Sequence, residues 1–234
     1  MSETKYLITC AGKGERWDNY LDTHKHLIMV DGERLLDRTC RMIFERDTHA
    51  EIVIVIPEVG LSNQDTDETI RENYHVENCT QWQPETVVYP CRHGVAPAIY
   101  TVKPIWSTEK RTTILFGDVF FTEEAMDKII APIDGVMFYG RSRASRVTGT
   151  KHGELWGCSF LPENHEKLYN CIMDTHDKYM KKIVHRWLHW DIYWNMYNIK
   201  NKLPKKDTFI EINDWTEDFD YPEDYDRWLE NRKN

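Results

Sequence analysis

The chain has 234 residues, of which 41% are hydrophobic and 29% charged, with a formal net charge of -9. That length allows a substantial buried core, and the acidic balance argues against a general nucleic-acid binder, whose affinity for phosphate backbones comes from clustered Lys and Arg. No run approaches the ~20 apolar residues of a membrane span, and the N-terminus lacks the basic stretch and apolar core of a secretory signal, so a cytoplasmic protein with no membrane partner is expected. Six cysteines, at positions 10, 40, 79, 91, 158 and 171, contain no C-x-x-C pair and read as reduced, mostly buried thiols.

In chain order, strand and helix signals alternate, the pattern of a mostly parallel sheet flanked by helices. YLITC at 6–10 is a first buried strand. The run ERLLDRTCRMIFER places Leu36, Cys40 and Ile43, with Thr39 beside them, on one helical face, and EIVIVIP follows as a second buried strand ended by Pro57. A loop at 58–68 and a weak helix near 67–74 precede the strand ETVVYP, a helix from about 94 to 105, and the β-branched strand TTILF at 112–116. That strand ends in Gly117-Asp118. A strand from Gly135 to Gly140, a polar basic stretch RSRASRVTGTKHGE expected as a mobile loop, and the strand LWGCSFL come next. From Glu163 to about Lys202 the signal is helical, and the chain closes with a strand, an acidic loop and a helix opened by Pro222. No linker rich in Gly, Pro or Ser divides the sequence, which predicts a single domain over 1–234.

The segment LITCAGKGERW at 7–17 sets two glycines and two cations directly after a buried strand. Glycines there let backbone N–H groups approach a phosphate, although a tight surface turn would use the same residues. Two common nucleotide-binding patterns fail. The dinucleotide fingerprint needs a third glycine where Trp17 stands, and the Walker A loop needs Lys-Ser/Thr after Gly14, which is followed by Glu15.

AGKGER at 11–16, followed by HKHLIMVDGERLLDR at 24–38, resembles the signature of nucleotidyltransferases that make nucleotide sugars and nucleotide-activated alcohols. Three further stretches fall in that family's order. GVAPAIYTV at 94–102 resembles its Gly-Thr-Ala helix start, LFGDVFF at 115–121 its Gly-Asp metal motif, and DFDYPEDYDRW at 218–228 its closing Asp-Thr-Pro-Glu-Asp segment. The resemblance implies a Rossmann-type, GT-A-like fold and a reaction in which a phosphorylated small molecule, a sugar phosphate or a phospho-alcohol such as phosphocholine, attacks the α-phosphorus of a nucleoside triphosphate and releases pyrophosphate.

On the same resemblance, Lys13 and Arg16 grip the outer phosphates with help from Ala11, Gly12 and Gly14. Lys25 bridges donor and acceptor, Asp118 and Asp220 hold Mg²⁺, and Arg92 and Gly94 flank the base or the acceptor. Asp118 could instead cap the helix that follows, although Thr122 is better placed to do so. Asp214, Glu217 and Asp218 lie close enough to substitute for Asp220. His24 replaces the family's proline, Val95 replaces its threonine, and no Glu-Lys-Pro acceptor segment is present, so base and acceptor stay open. Trp187, Trp190 and Trp194 form a stripe that reads as core, or as an acceptor wall able to stack on a sugar or cage a quaternary ammonium. Arg141, Arg143, Arg146 and Lys151 read as a solvated loop or an acceptor-phosphate site. His185 and His189, four apart, lack the Glu of a zinc-protease helix and are not taken as a metal pair. Two rival functions remain: a glycosyltransferase of GT-A architecture, which normally needs Asp-x-Asp where this chain has Gly-Asp-Val, and a non-catalytic nucleotide binder. Oligomeric state is left open, a homo-oligomer included.

Overall fold

The computed structural model describes residues 4–10, 16–18, 20–57, 85–89, 97–199 and 203–233. In chain order these form β1 (Thr4–Thr9), β2 (Met29–Val30), β3 (Glu33–Arg34), α1 (Leu35–Arg46), β4 (Glu51–Pro57), β5 (Glu85–Tyr89) and α2 (Ala98–Thr101). Then follow β6 (Arg111–Phe116), β7 (Val119–Phe120), α3 (Glu123–Ile130), β8 (Val136–Arg141), β9 (Glu154–Phe160), α4 (His165–Met180), α5 (His189–Met196), β10 (Phe209–Glu211), β11 (Glu217–Asp218) and α6 (Pro222–Arg232).

Seven strands make one sheet in the order β10-β8-β9-β6-β1-β4-β5. β1 runs parallel to β4 and β6, β4 to β5, and β10 to β8, whereas β9 is antiparallel to both β6 and β8. One strand thus runs against six. The reversal lets the loop at 142–153 join β8 to its neighbour β9 without a crossover helix.

The central strands carry apolar residues on both faces because both are covered. Tyr6, Ile8, Ile52, Ile54, Ile56 and Leu115 pack against Leu36, Cys40 and Ile43 of α1 and Ala125, Met126 and Ile129 of α3. On the opposite face Leu7, Val53, Val55, Ile114, Phe138 and Phe160 meet Leu168 and Ile172 of α4, Trp187, and Ile192 and Tyr193 of α5. Each such fully buried aliphatic or aromatic side chain contributes about 1.5–3 kcal/mol from removal of apolar surface. A third cluster of Trp17, Ile28, Val30, Leu35, Phe120, Phe219, Tyr225 and Trp228 joins segments from both ends of the chain.

Buried Arg111 fastens α3 to the sheet. Its guanidinium donates to the carbonyls of Ile130 at 3.1 Å and Ala131 at 2.7 Å, at the negative end of that helix, and to Tyr139 Oη at 2.9 Å. Cys10, Cys40 and Cys158 are buried free thiols, and Cys171 is a half-buried one.

Two expected helices are shorter than their patterns. Of the predicted helix at 94–105, the described part is helical only over Ala98–Thr101, followed by a 3₁₀ turn at Lys103–Ile105. The helical signal over 163–202 divides into α4 and α5, because Lys182 enters the left-handed region at φ 57° and a continuous helix cannot pass through it. The predicted loop at 58–68 and helix at 67–74 lie outside the described residues.

Candidate active site

Lys25 reaches the carboxyl end of β1 by way of Trp17. The Trp17 ring is buried in the third cluster, and its indole N–H donates to the carbonyls of Tyr20 at 3.1 Å and Thr23 at 2.9 Å, which curls the chain back toward the sheet. Lys25–Leu27 then form one buried 3₁₀ turn. The segment returns through β2 and β3, joined by Asp31 and Gly32 at φ 55° and 82°, the two left-handed residues that a tight hairpin requires.

Asp118 follows β6. Gly117 makes its position feasible, since a Cβ at residue 117 would overlap Cys10 Sγ. β7 then pairs antiparallel with β11, Val119 opposite Asp218 and Phe120 opposite Glu217, and the Phe219 N–H donates to the Asp118 carbonyl at 3.3 Å. This two-stranded ribbon is what brings residues 118 and 220 together.

The Lys25 ammonium, 6% exposed, bonds Asp118 Oδ2 and lies 3.4 Å from Asp220 Oδ1. Arg16 holds the other Asp220 oxygen at 2.9 Å and stacks its guanidinium over Tyr221 at 5.1 Å. Burial alone would lower the Lys25 pKa, but Asp118 and then Asp220 outweigh it and hold the pKa above the ordinary lysine value. Burial would likewise raise Asp118, yet Lys25 and His26 keep that carboxylate below its usual range.

Two more acids stand behind this pair. Asp218 accepts from the Trp156 indole N–H at 3.2 Å and is pushed well above the carboxylate range by burial, with Glu154, Asp220 and Asp118 adding to the effect. Glu154 rises to about 7, mainly through burial, with His152 opposing and Asp220 reinforcing. Both shifts favour the neutral acids and reflect how closely acidic groups crowd around Asp118 and Asp220. The donors of the cluster fit Mg²⁺, which takes hard oxygens and in phosphoryl-transfer sites uses one or two carboxylates plus substrate phosphates. Asp118 and Asp220, converging on one ammonium, offer such a pair. Among the described residues no group of three or more His, Cys, Asp or Glu could hold a metal by itself.

The acidic run near the C-terminus separates by role. Asp214 accepts from Thr122 Oγ1 at 2.7 Å and from the Thr216 N–H at 2.7 Å, while Thr122, not Asp118, caps α3 by accepting from the Ala125 N–H at 3.0 Å. Glu217 is buried against Arg141 at 2.7 Å. Asp218 lies under the site, and Asp220 faces Lys25 and Arg16. Of the expected site residues the structure thus unites Arg16, Lys25, Asp118 and Asp220, whereas Ala11, Gly12, Lys13, Gly14, Arg92 and Gly94 lie outside the described residues.

No family model matches the sequence, and no curated protein resembles it in sequence. Solved structures do resemble the fold. A Bacillus anthracis protein provisionally described as a glucose-1-phosphate thymidylyltransferase superposes with a TM-score of 0.63 at 13% identity, over 99% of this chain and 96% of that one. The inositol-1-phosphate CTP transferase of T. maritima gives 0.59 at 12% identity over 100% and 98%, and the CTP:phosphocholine cytidylyltransferase of Streptococcus pneumoniae gives 0.55 at 17% over 99% and 100%. The chain has the nucleotidyltransferase fold.

Beside the acidic cluster in this nucleotidyltransferase fold lies a cleft of about 640 Å³, lined by Arg16 and Asp220 and also by Glu154, Trp190, Trp194 and Leu203. The tryptophan stripe is split between two environments. Trp187 is core, donating to the Ile172 carbonyl at 3.2 Å. Trp190 and Trp194 reach the cleft, with Trp190 stacked between Trp194 and Phe209 at 5.6 Å from each. His185 is exposed, and the His189 ring lies 4.6 Å from Phe116 with Nε2 sealed from solvent.

The basic stretch after β8 is pinned where a mobile loop is expected. Arg141 spends its charge on Glu217, and the second Glu217 oxygen is held by Ser145 Oγ and by Thr148 Oγ1 at 3.2 Å. From α6, Arg227 donates to the Thr148 carbonyl at 3.1 Å. Arg141 is therefore unavailable to an acceptor phosphate, while Arg143, Arg146 and Lys151 are exposed. Sequence reasoning missed Trp17, Trp156 and Glu154. Only their tertiary neighbours give them meaning, and no spacing in the sequence signals it.

Proposed function

We propose that the chain is a nucleotidyltransferase that moves a nucleoside monophosphate from a triphosphate to a phosphorylated small molecule. One phosphate oxygen of the acceptor forms a bond to the α-phosphorus, the bond from that phosphorus to the bridging oxygen breaks, and pyrophosphate leaves with the electron pair. The observation that carries this reading is the convergence of Lys25, Asp118, Asp220 and Arg16 on one point beside the carboxyl end of the parallel strands, where α/β sheets of this kind bind ligands.

Both reactants are anions, so catalysis consists of alignment and charge compensation. Lys25 keeps its proton at neutral pH and can transfer its ion pair from Asp118 to a phosphate oxygen between donor and acceptor. Arg16, half exposed and held by a single carboxylate, can turn toward the outer phosphates with a bidentate grip. Mg²⁺, held by Asp118 and Asp220, would supply a Lewis acid that offsets charge at the α-phosphate. Burial of Val119 and Phe120 directly after Asp118 counts against the glycosyltransferase alternative, which needs a second carboxylate on that strand.

The test is pyrophosphate release from each of four triphosphates in the presence of glucose 1-phosphate, inositol 1-phosphate or phosphocholine. Release that depends on both substrates and is lost in Lys25→Ala supports the assignment; no release from any pair overturns it.

A further inference from the structure

The chain is acidic, yet one face of it is not. The turn after α4 and the segment before β10 carry Lys181, Lys182, Arg186, Lys205 and Lys206, all exposed. None of the five forms an ion pair among the described residues, whereas the cations of α1 and α3 are matched with glutamates and aspartates. Apolar side chains are interleaved with them. Met180, Ile183, Leu188 and Leu203 are 65%, 63%, 40% and 62% exposed, half of the eight large apolar side chains left open to water among the described residues.

The two segments share one surface. Arg186, Leu188, Leu203 and Pro204 line the active-site cleft together, and Arg186 also lines a neighbouring hollow of about 510 Å³ with Ile183 and His185. Lys182, at φ 57°, ends the helical path of α4, while the Lys205 N–H donates to buried Tyr193 Oη at 3.0 Å and ties the second segment to α5. The bordering acids leave the charge of this face in place. Asp174 bonds Lys178 at 2.7 Å, Asp191 accepts from the Leu188 N–H at 3.1 Å, and Glu154 and Asp220 in the cleft pair with His152 and Arg16. Asp177 and Asp207 flank the two segments in sequence.

A soluble polyanion matches such cations and leaves the apolar side chains in water. A protein interface buries an apolar core depleted of charge, and here the apolar side chains alternate with lysines and an arginine. A bilayer offers anionic phosphates and hydrocarbon at adjoining depths, and so satisfies both kinds of side chain at once. We propose that this face docks on an anionic lipid bilayer, with the five cations on the lipid phosphates and Met180 and Ile183 at the acyl boundary. The rim of the active-site cleft belongs to the docking surface. Negative charge on the rest of the chain is screened beyond a Debye length of about 10 Å at 0.1 M salt. No described helix is long and apolar enough to cross a membrane, and peripheral docking needs none. Docking of this kind is independent of nucleotidyl transfer, since it uses none of Arg16, Lys25, Asp118 and Asp220.

Co-sedimentation of the full chain with phosphatidylcholine vesicles, with and without phosphatidylserine, tests it. Binding is expected to tighten at least about tenfold with phosphatidylserine and to fall back at high salt. Lys181→Gln combined with Lys182→Gln should weaken it about 25-fold, at about fivefold for each basic side chain near an anionic surface. Ile183→Ser should weaken it about tenfold, whereas Lys128→Gln, which removes a charge on α3, should change nothing. No sedimentation with either vesicle, equal sedimentation with both, or a loss in Lys128→Gln as large as in the double variant overturns the proposal. Binding of soluble polyglutamate as tight as that of the phosphatidylserine vesicles, lost in the double variant and kept in Ile183→Ser, likewise overturns it and marks an acidic protein as the partner.

Discussion

Lys25 and Asp118, 93 residues apart in sequence, form an ion pair in which the lysine is almost wholly buried. An ammonium is kept out of water at such a place only if anions hold it, and here Asp220 completes the arrangement from the far end of the chain. In the proposed reaction a phosphate would replace a carboxylate as the partner of the lysine.

Replacing that lysine separates stability from chemistry. Lys25→Ala leaves Asp118 without its main counter-charge and should cost about 3–5 kcal/mol of stability, because breaking a buried pair exposes the remaining partner to an unfavourable environment. Assayed well below its melting temperature, the folded variant should lose on the order of 10²-fold or more in kcat, the size typical of removing one electrostatic element from a site. Near-normal kcat in a folded variant would remove Lys25 from the reaction.

Metal dependence follows from the proposed role of Asp118 and Asp220 as a carboxylate pair. Activity should require a divalent ion and vanish with chelator, and Asp118→Asn and Asp220→Asn should each lower the rate on the order of 10²-fold while raising the Mg²⁺ concentration needed for half-maximal activity. Asp214→Asn, whose side chain serves Thr122 and Thr216, should leave the Mg²⁺ titration unchanged. Full turnover in chelator would contradict the role given to the two aspartates.

The clamp between Arg141 and Glu217 predicts a change in stability rather than in metal response. Both side chains are buried, and Glu217 also gathers Ser145 and Thr148. Glu217→Gln keeps the shape but leaves the guanidinium uncompensated, for a loss of about 3–5 kcal/mol. Chemical denaturation should show a lower midpoint with an unchanged slope, and proteolysis should open the chain within residues 142–153. A midpoint equal to wild type would mean that the pair holds nothing in place.

His189 makes stability depend on pH. Burial holds its pKa down at about 4, against an ordinary value of 6.5. The unfolded chain therefore binds more protons than the folded one between those values, and stability is complete above about pH 6.5 and declines as pH falls toward 4. His189→Phe should remove on the order of 2 kcal/mol of that acid sensitivity, as measured by urea midpoints at pH 7.0 and 4.5. An identical pH slope in the variant would show that His189 is not the group being protonated.

Strand positions were legible because strands buried on both faces are continuous apolar runs, as EIVIVIP shows. Lys25, Asp118 and Asp220 were legible through motif order, because each stands beside residues with recognisable local duties: Gly117 before Asp118, and Pro222 two residues after Asp220. The acid behind them was not. Glu154 follows a glycine at the start of an ordinary strand, and its meaning comes from burial and from Asp220, which acts on it from another segment. The basic loop misled for the same reason. Counting arginines cannot reveal that Arg141 faces a buried glutamate 76 residues further along.

The pairing of β7 with β11 also orders events in time. Six of the seven strands of the sheet, with α1 and α3 on one of its faces, are encoded before residue 161, whereas α4 and α5 on the other face and α6 in the third cluster come later. Asp118 belongs to the earlier part, but the second carboxylate is encoded only with residues 217–220, whose strand pairs with Val119 and Phe120. The joining of Lys25 to both aspartates is thus completed by late-encoded residues, through a two-residue ribbon.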